Sequence, residues 1–442
     1  MASTAEGNRI RLDNRKPLLV LSLVALVDQI DTNILRGVLP HLERHFGLSD
    51  FQLGLLGFAF VFVNAIATIP AGWVADRYNR TRIIGWTLLS WSALSGLSAL
   101  AFNFASLFGA RAALGIGQAI DDPSSTSLLT DYYPPNVRGR VFSYQQISVF
   151  LGSGLGIGLG GWVASSFGWR WAFALVGMPG SLIALLCFRL REPRRGSSDG
   201  TARSDGEESK GATAGMSIGE FSRAAIKSLI AEMRMIFGIR TMRYILVGVG
   251  ILLFTVSGVG YWLTTYHDRY SNMTADQAAA MTAVTLAFAG VIGTLGGGRL
   301  ADRVYGFGPA GRIRLVSNAI MICAVLFLLS LMVPVVPVRI ALQFFGVLSI
   351  SSAFPALRAS MMDVVPAESR GVNASAFALT STVLGTALAP PLIGLLSDTI
   401  GTLVGAFYIV TPPIIVGSLI LRRAQHTIAE DAEAIISKMM PT

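Results

Sequence analysis

Four carboxylates lie where an apolar chain should not hold them. Asp28 and Asp31 fall inside one long apolar run, and Asp121 and Asp122 inside another. An ionisable side chain at bilayer depth is costly and marks a path for ions or substrate. Burial raises a carboxylate's pKa and a nearby guanidinium lowers it. An acid whose contact with water and with Arg alternates can therefore carry a proton. Arg36 and Arg111 supply cations in the same two runs. His41, His45, His267 and His426 all fall near run ends or in the tail, so a proton relay has to use the acids. Asp31 is the first choice. Asp28 is three residues earlier, on roughly the same helix face. Asp121 and Asp122 are adjacent and point apart on a helix, so a kink with one acid facing water is the competing reading.

A second pattern occurs twice. Pro123, Asp131, Pro134, Arg138 and Gly139 follow Pro-x7-Asp-x2-Pro-x3-Arg-Gly, and Pro355, Asp363, Pro366, Arg370 and Gly371 repeat it. Gly72-Trp-Val-Ala-Asp76-Arg77 is likewise echoed by Gly298-Arg-Leu-Ala-Asp302-Arg303. An Asp at the end of an apolar run is costly unless paired. A neighbouring Arg and a helix N-terminus can satisfy it in one conformation. Gly72, Asp76, Arg77 and Arg80, with Asp302 and Arg303, therefore read as a conformational latch. Asp131 with Arg138 and Asp363 with Arg370 read as its partner elements. The competing reading is a plain basic turn.

The elements that must position these residues are membrane helices. Of 442 residues, 52% are hydrophobic and 14% charged, against about 25% charged in soluble proteins. Runs long enough to span a bilayer cover about 17–40, 50–75, 82–102, 105–131, 140–166, 169–190, 241–266, 274–300, 310–333, 336–362, 370–396 and 400–421. The expected fold is an all-α membrane protein of twelve helices in two pseudo-symmetric six-helix bundles, each built from inverted repeats. The first bundle is 1–191, the linker 192–240, the second bundle 241–422 and the tail 423–442. The net charge of +9 reports topology rather than nucleic-acid binding. Arg9, Arg11, Arg15, Lys16, Arg77, Arg80, Arg82, Arg138, Arg140, Arg303, Arg312 and Arg314 all fall on one side, while Arg44, Arg170, Arg269 and Arg339 fall on the other. This bias puts both termini in the cytoplasm. No cleavable leader is visible. Cys187 and Cys323 lie singly inside spans and suggest neither disulfide nor zinc.

In the linker, Ser217-Ile-Gly-Glu220 reads as a capping box. Ile218, Phe221, Ala225, Leu229, Met233 and Ile236 follow at helical spacing, with Arg223, Lys227 and Arg234 opposite. Either this helix lies on the membrane surface or it packs under the bundle. Gly156, Gly158 and Gly161 make a formal G-x-G-x-x-G, but no strand precedes it and the run is apolar. Gly152, Gly156 and Gly160 at four-residue spacing read instead as a helix-packing face.

The Gly72–Arg82 loop resembles the signature of the major facilitator superfamily, as does Arg111-x3-Gly115-x-Gly117. Within it, Asp31-x5-Gly37-Val-Leu-Pro40, Asp76-Arg-Tyr-Asn-Arg80, Gln118-Ala, Gly152–Gly156, Trp169-Arg-Trp171-Ala and Arg191-Glu-Pro193 resemble the Spinster branch. That resemblance implies a transporter of lysophospholipids or sphingosine-1-phosphate, with Asp31 as the functional acid and Arg111 as its basic companion. Two positions depart from the branch. Thr32 stands where an Arg usually follows the acid, and Gln118 replaces a Glu, with an acid one turn later at Asp122.

The expected function is secondary active transport by alternating access, proton-coupled, of a lysophospholipid or similar amphiphilic anion. Arg111, Gln118, Asn33, Arg36 and Tyr261 form the expected substrate set. Asp31, Asp28, Asp122 and Asp121 form the expected proton set. A cavity polar on the first-bundle wall and apolar on the other, where Phe254, Trp262, Phe288, Phe344, Phe345 and Phe354 lie, suits an amphiphile. The alternatives are a proton-coupled exporter of drugs or small organic anions, and a non-transporting membrane sensor. No enzyme activity, cofactor or metal is expected. The expected partners are the substrate, protons and membrane lipids, around a monomer in the plasma (inner) membrane.

Overall fold

In the computed structural model, residues 15–193, 217–305, 309–363 and 381–431 are described. Among these, helices account for nearly everything and there is no strand. The first bundle contains α1 (Lys16–Phe46), α2 (Asp50–Arg77), α3 (Arg80–Ser98), α4 (Phe104–Gln118), α5 (Asp121–Tyr132), α6 (Pro135–Phe167) and α7 (Trp169–Phe188). After α8 (Ile218–Gly238) come α9 (Arg240–Tyr270), α10 (Ala275–Tyr305), α11 (Pro309–Met332) and α12 (Val336–Asp363). A π-helical stretch (Ser381–Ala387), α13 (Ala389–Ile400), α14 (Leu403–Val410) and α15 (Pro412–Arg423) complete the second bundle. Nine of the described stretches are long and apolar enough to cross a membrane. The other three of the twelve spans are α3, the α4–α5 pair and the run through α13, part of which lies outside the described residues.

The fourth span is not the continuous helix expected over 105–131. It breaks at Ala119 and Ile120. Pro123 has no N–H for the Ala119 carbonyl, and its ring crowds that oxygen. The last span is interrupted at Thr411 for the same reason, because Pro412 and Pro413 follow it.

Glycine spacing sets the close crossing of α6 on α1. A Cβ on Gly152 would meet the Leu26 carbonyl oxygen at 2.5 Å, one on Gly156 the Ile30 oxygen at 2.5 Å, and one on Gly160 the Ile34 oxygen at 2.8 Å. The three glycines of α6 therefore lie on three successive turns of α1. This fixes α1, and with it Asp31, against the bundle.

Two apolar cores belong to one half each. A third joins the halves: Leu39, Leu42, Leu53 and Leu56 of the first half pack with Tyr261, Trp262, Ile393 and Phe407 of the second.

The linker helix α8 starts with a capping box. Glu220 accepts from the Ser217 N–H at 2.8 Å and the Ser217 Oγ donates at 2.9 Å, which holds the Glu220 carboxyl below its ordinary pKa. The helix meets α2 and α9 along one edge, with Met233 packed against the second-half core. Ile226, Ile230 and Phe237 stay exposed beside the exposed Arg223, Lys227 and Arg234. The contacts with α2 and α9 match the packed placement, and the exposed apolar and basic residues leave the surface placement as a proposal.

Candidate functional site

Asp31 is 1% exposed. The α1–α6 crossing holds it facing α3 and α4. Ser95 donates to Asp31 Oδ1 at 2.6 Å and the Gln118 amide to Oδ2 at 3.4 Å. Gln118 in turn accepts from Thr32 at 3.3 Å. The two departures from the Spinster pattern therefore bond each other. A Glu at 118 would set a second carboxylate against Asp31, whereas the neutral amide offers it a donor.

Arg111 is also 1% exposed. Its guanidinium lies over the Phe173 ring, 4.5 Å from the centroid. Nε and Nη2 are buried and have no hydrogen-bond partner among the described residues. Asp31 and Tyr261 lie within electrostatic range of this cation, but no ion pair joins it to Asp31. A buried guanidinium with open donors is costly, and an anion is the species that satisfies it. Arg36, half-buried on α1, shares Tyr261 as its ionisable neighbour.

The remaining expected residues divide into separate groups. Asn33 donates to the Gln29 carbonyl at 2.8 Å and to Ser153 at 3.2 Å, tying α1 to α6 beside Asp28, which accepts from Gln29 at 3.0 Å. Asp121 is buried and accepts from Ser125 at 3.0 Å. Asp122 is exposed, with the exposed Arg358 of the other half in electrostatic range. No hydrogen bond or ion pair links Asp122 to Asp31 or Arg111, and Asp28 is the acid of α1 in its electrostatic range. Tyr261 is 4% exposed and donates to the Leu53 carbonyl at 2.7 Å. In this state its hydroxyl closes the interface between the halves. Gly57 makes this possible, since a Cβ there would meet the Tyr261 ring at 2.6 Å. Of the aromatics expected on the second wall, Trp262 is fully buried, while Phe288 and Phe345 are exposed.

One end of the molecule is held shut by charges that sequence reasoning did not single out as a group. Arg269 binds Asp50 at 2.5 and 3.0 Å and Glu43 at 2.9 Å. Arg44 pairs with Asp268. Asp398 accepts from the Asp50 and Phe51 N–H groups at 2.9 Å each, and Ser397 donates to Asp50 at 2.5 Å. A visible signal was available: Glu43-Arg44 and Asp268-Arg269 are acid–Arg pairs at matching ends of spans one and seven.

At the opposite end, Arg80 is fully buried. It binds Asp131 at 2.5 Å, Glu192 at 2.7 Å, Ser127 at 2.7 Å and the Pro193 carbonyl at 3.2 Å. Glu192 and Ser127 were not anticipated. Arg138 closes the end of α5 by donating to the Thr130 and Tyr133 carbonyls at 2.7 and 3.0 Å. Arg77 lies over Trp73 at 4.3 Å, and Asp302 and Arg303 are exposed. Gly72 has open space where a Cβ would stand. The Asp76 and Asp363 side chains and the whole of Arg370 lie outside the described residues.

The family model for the Major Facilitator Superfamily matches residues 21–383. The chain belongs to that superfamily. This places it among membrane transporters rather than enzymes. Within the superfamily it is similar to Spinster proteins: it is 25% identical to mouse (Mus musculus) protein spinster homolog 3, over 86% of this chain and 74% of that protein. It is 30% identical to the zebrafish (Danio rerio) sphingosine-1-phosphate transporter SPNS2, over 42% of this chain and 38% of that one. The match to an Escherichia coli D-galactonate transporter, at 24% identity, likewise reaches only 41% of that relative's length. A solved bacterial homolog of the human lysosomal transporter Spinster, inward-facing and unoccupied, superposes with a TM-score of 0.72 at 22% identity, over 95% of this chain and 97% of that one.

Proposed function

We propose that the protein is a proton-coupled transporter of an amphiphilic anion, a lysophospholipid or close analogue, working by alternating access. The observation that carries this reading is the buried Arg111, with two unbonded donor nitrogens, in electrostatic range of the buried Asp31. An anionic headgroup satisfies Arg111. Protonation of Asp31 removes the competing charge, so proton and substrate occupancy are linked. Arg36 borders the same region, and Gln118 fixes the orientation of Asp31. Asp28, Asp121 and Asp122 lead from this pair toward the end that carries Asp76, as steps for proton release. The charge-paired Asp50 end is the outer, closed gate, and the basic ends of the helices face the cytoplasm with both termini. The latch formed by Asp76, Arg77, Asp302 and Arg303 acts at that inner face.

A small organic anion is the second reading. It is supported by the similarity to a galactonate transporter, since a sugar acid also presents a carboxylate to Arg111. Equilibrium binding decides between them. Wild type and Arg111→Lys are compared for lysophosphatidate, an uncharged monoacylglycerol and a hexonate. Tight binding of lysophosphatidate, weakened about tenfold or more by loss of the planar guanidinium, supports the lipid reading. Binding of the hexonate alone supports the second reading. Unchanged affinity of Arg111→Lys for every ligand removes Arg111 as the headgroup site.

A further inference from the structure

At the end of the second half that carries the basic residues, a cavity of about 460 Å³ opens between α9 and α15. Arg240, Arg243, Tyr244 and Val247 line it from α9, and Ile420 and Thr427 from the final segment. The α9 residues follow i, i+3, i+4, i+7 and so share one helix face. The helices touch one level deeper, where a Cβ on Gly248 would meet the Gly417 carbonyl at 2.8 Å. Above this crossing they part, and the wedge between them is the cavity.

The lining is graded. Arg240 and Arg243 are exposed at the mouth, with the Tyr244 phenol beside them. Val247, 46% exposed, and Ile420 form an apolar wall one turn below. Neither Arg has an acidic partner among the described residues. Asp431, the last of the described residues, accepts from the Thr241 N–H at 2.9 Å. The exposed apolar residues of α8 and its exposed cations Arg223, Lys227 and Arg234 precede Arg240 in the chain, a composition that suits a membrane interface.

We propose that this wedge binds an anionic phospholipid of the adjoining leaflet. Arg240 and Arg243 take the phosphate and Val247 and Ile420 guide an acyl chain. Paired guanidinium groups recognise phosphate oxygens in a way that a diffuse surface charge does not. Basic pockets between helices at a membrane face have the chemistry for such headgroups. Free phosphate shares the headgroup chemistry but makes no use of the apolar wall.

The test uses the full-length protein in phosphatidylcholine nanodiscs containing phosphatidylglycerol, with bound phosphatidylglycerol counted by native mass spectrometry. Arg240→Ala/Arg243→Ala should weaken its retention about thirtyfold, from two surface cations. Arg82→Ala/Arg140→Ala removes equal charge from the exposed basic residues of the first half and should leave retention unchanged. Arg240→Lys/Arg243→Lys should fall between wild type and the Ala pair, and a fold defect in the Ala pair would show as loss of the monodisperse peak. Equal loss in both Ala pairs, or full retention in the Arg240 and Arg243 variants, overturns the site. Displacement of lipid by millimolar inorganic phosphate overturns the lipid assignment in favour of a soluble anion.

Discussion

Arg269, the penultimate residue of α9, holds Asp50, the first residue of α2, through two guanidinium nitrogens at 3.0 and 2.5 Å. The two residues belong to different halves. Glu43-Arg44 and Asp268-Arg269 end pseudo-equivalent helices and pair reciprocally: Arg269 with Glu43 and Arg44 with Asp268. A two-fold relation between the halves makes one dipeptide motif into a two-strand clasp.

The clasp predicts a gating phenotype. Asp50→Asn removes the charge that Arg269 and Ser397 share. A charge-assisted bond of this kind contributes about 2 kcal/mol, so the open-to-closed ratio at that end should rise roughly thirtyfold. Spin labels placed on the two halves at that face would report it by double electron–electron resonance. A distance distribution identical to wild type would exclude a gating role.

Arg80 should matter for folding more than for transport. It is fully buried and binds two carboxylates, a hydroxyl and a carbonyl. Arg80→Ala removes the guanidinium that Asp131 and Glu192 share in a partly buried site. The expected cost is about 3–5 kcal/mol, seen as a large drop in melting temperature in detergent. Wild-type stability would show that water replaces the guanidinium without penalty.

Several of these features were legible in the residues alone. The twelve spans followed from run length and charge bias. The Gly152–Gly156–Gly160 face followed from its spacing, and the structure lays it on successive α1 turns. The buried state of Asp31 and Arg111 followed from their depth in apolar runs. What was not legible depends on how the two halves meet. Asp50 and Arg269 are 219 residues apart, and their contact exists in one arrangement of the halves. Tyr261 looked like a cavity residue because it is aromatic and mid-span. Its bond to the Leu53 carbonyl is a property of the closed interface. The break at Ala119 was signalled by Pro123, yet which of the two acids after it is buried, Asp121 rather than Asp122, needed the three-dimensional path.

The α1–α6 crossing gives a stability prediction. Gly156→Val places side-chain atoms against the Ile30 carbonyl oxygen and Cα, 2.5 and 3.0 Å from the Cβ position. Backbone cannot yield as a flexible side chain does. The expected destabilisation is about 1–3 kcal/mol, with Asp31 displaced. Thermal unfolding followed by circular dichroism measures it. Gly72→Ala, where a Cβ meets open space, should leave the melting temperature unchanged.

The central claim is that Asp31 couples proton movement to an anion held by Arg111. Its most direct test is uptake of radiolabelled lysophosphatidate into proteoliposomes under an imposed pH gradient, for wild type and Asp31→Asn. The account predicts gradient-driven accumulation by wild type. The Asn variant should keep its fold and its exchange of substrate at equal pH, and lose accumulation. Full accumulation by Asp31→Asn, or wild-type uptake indifferent to the gradient, would contradict it.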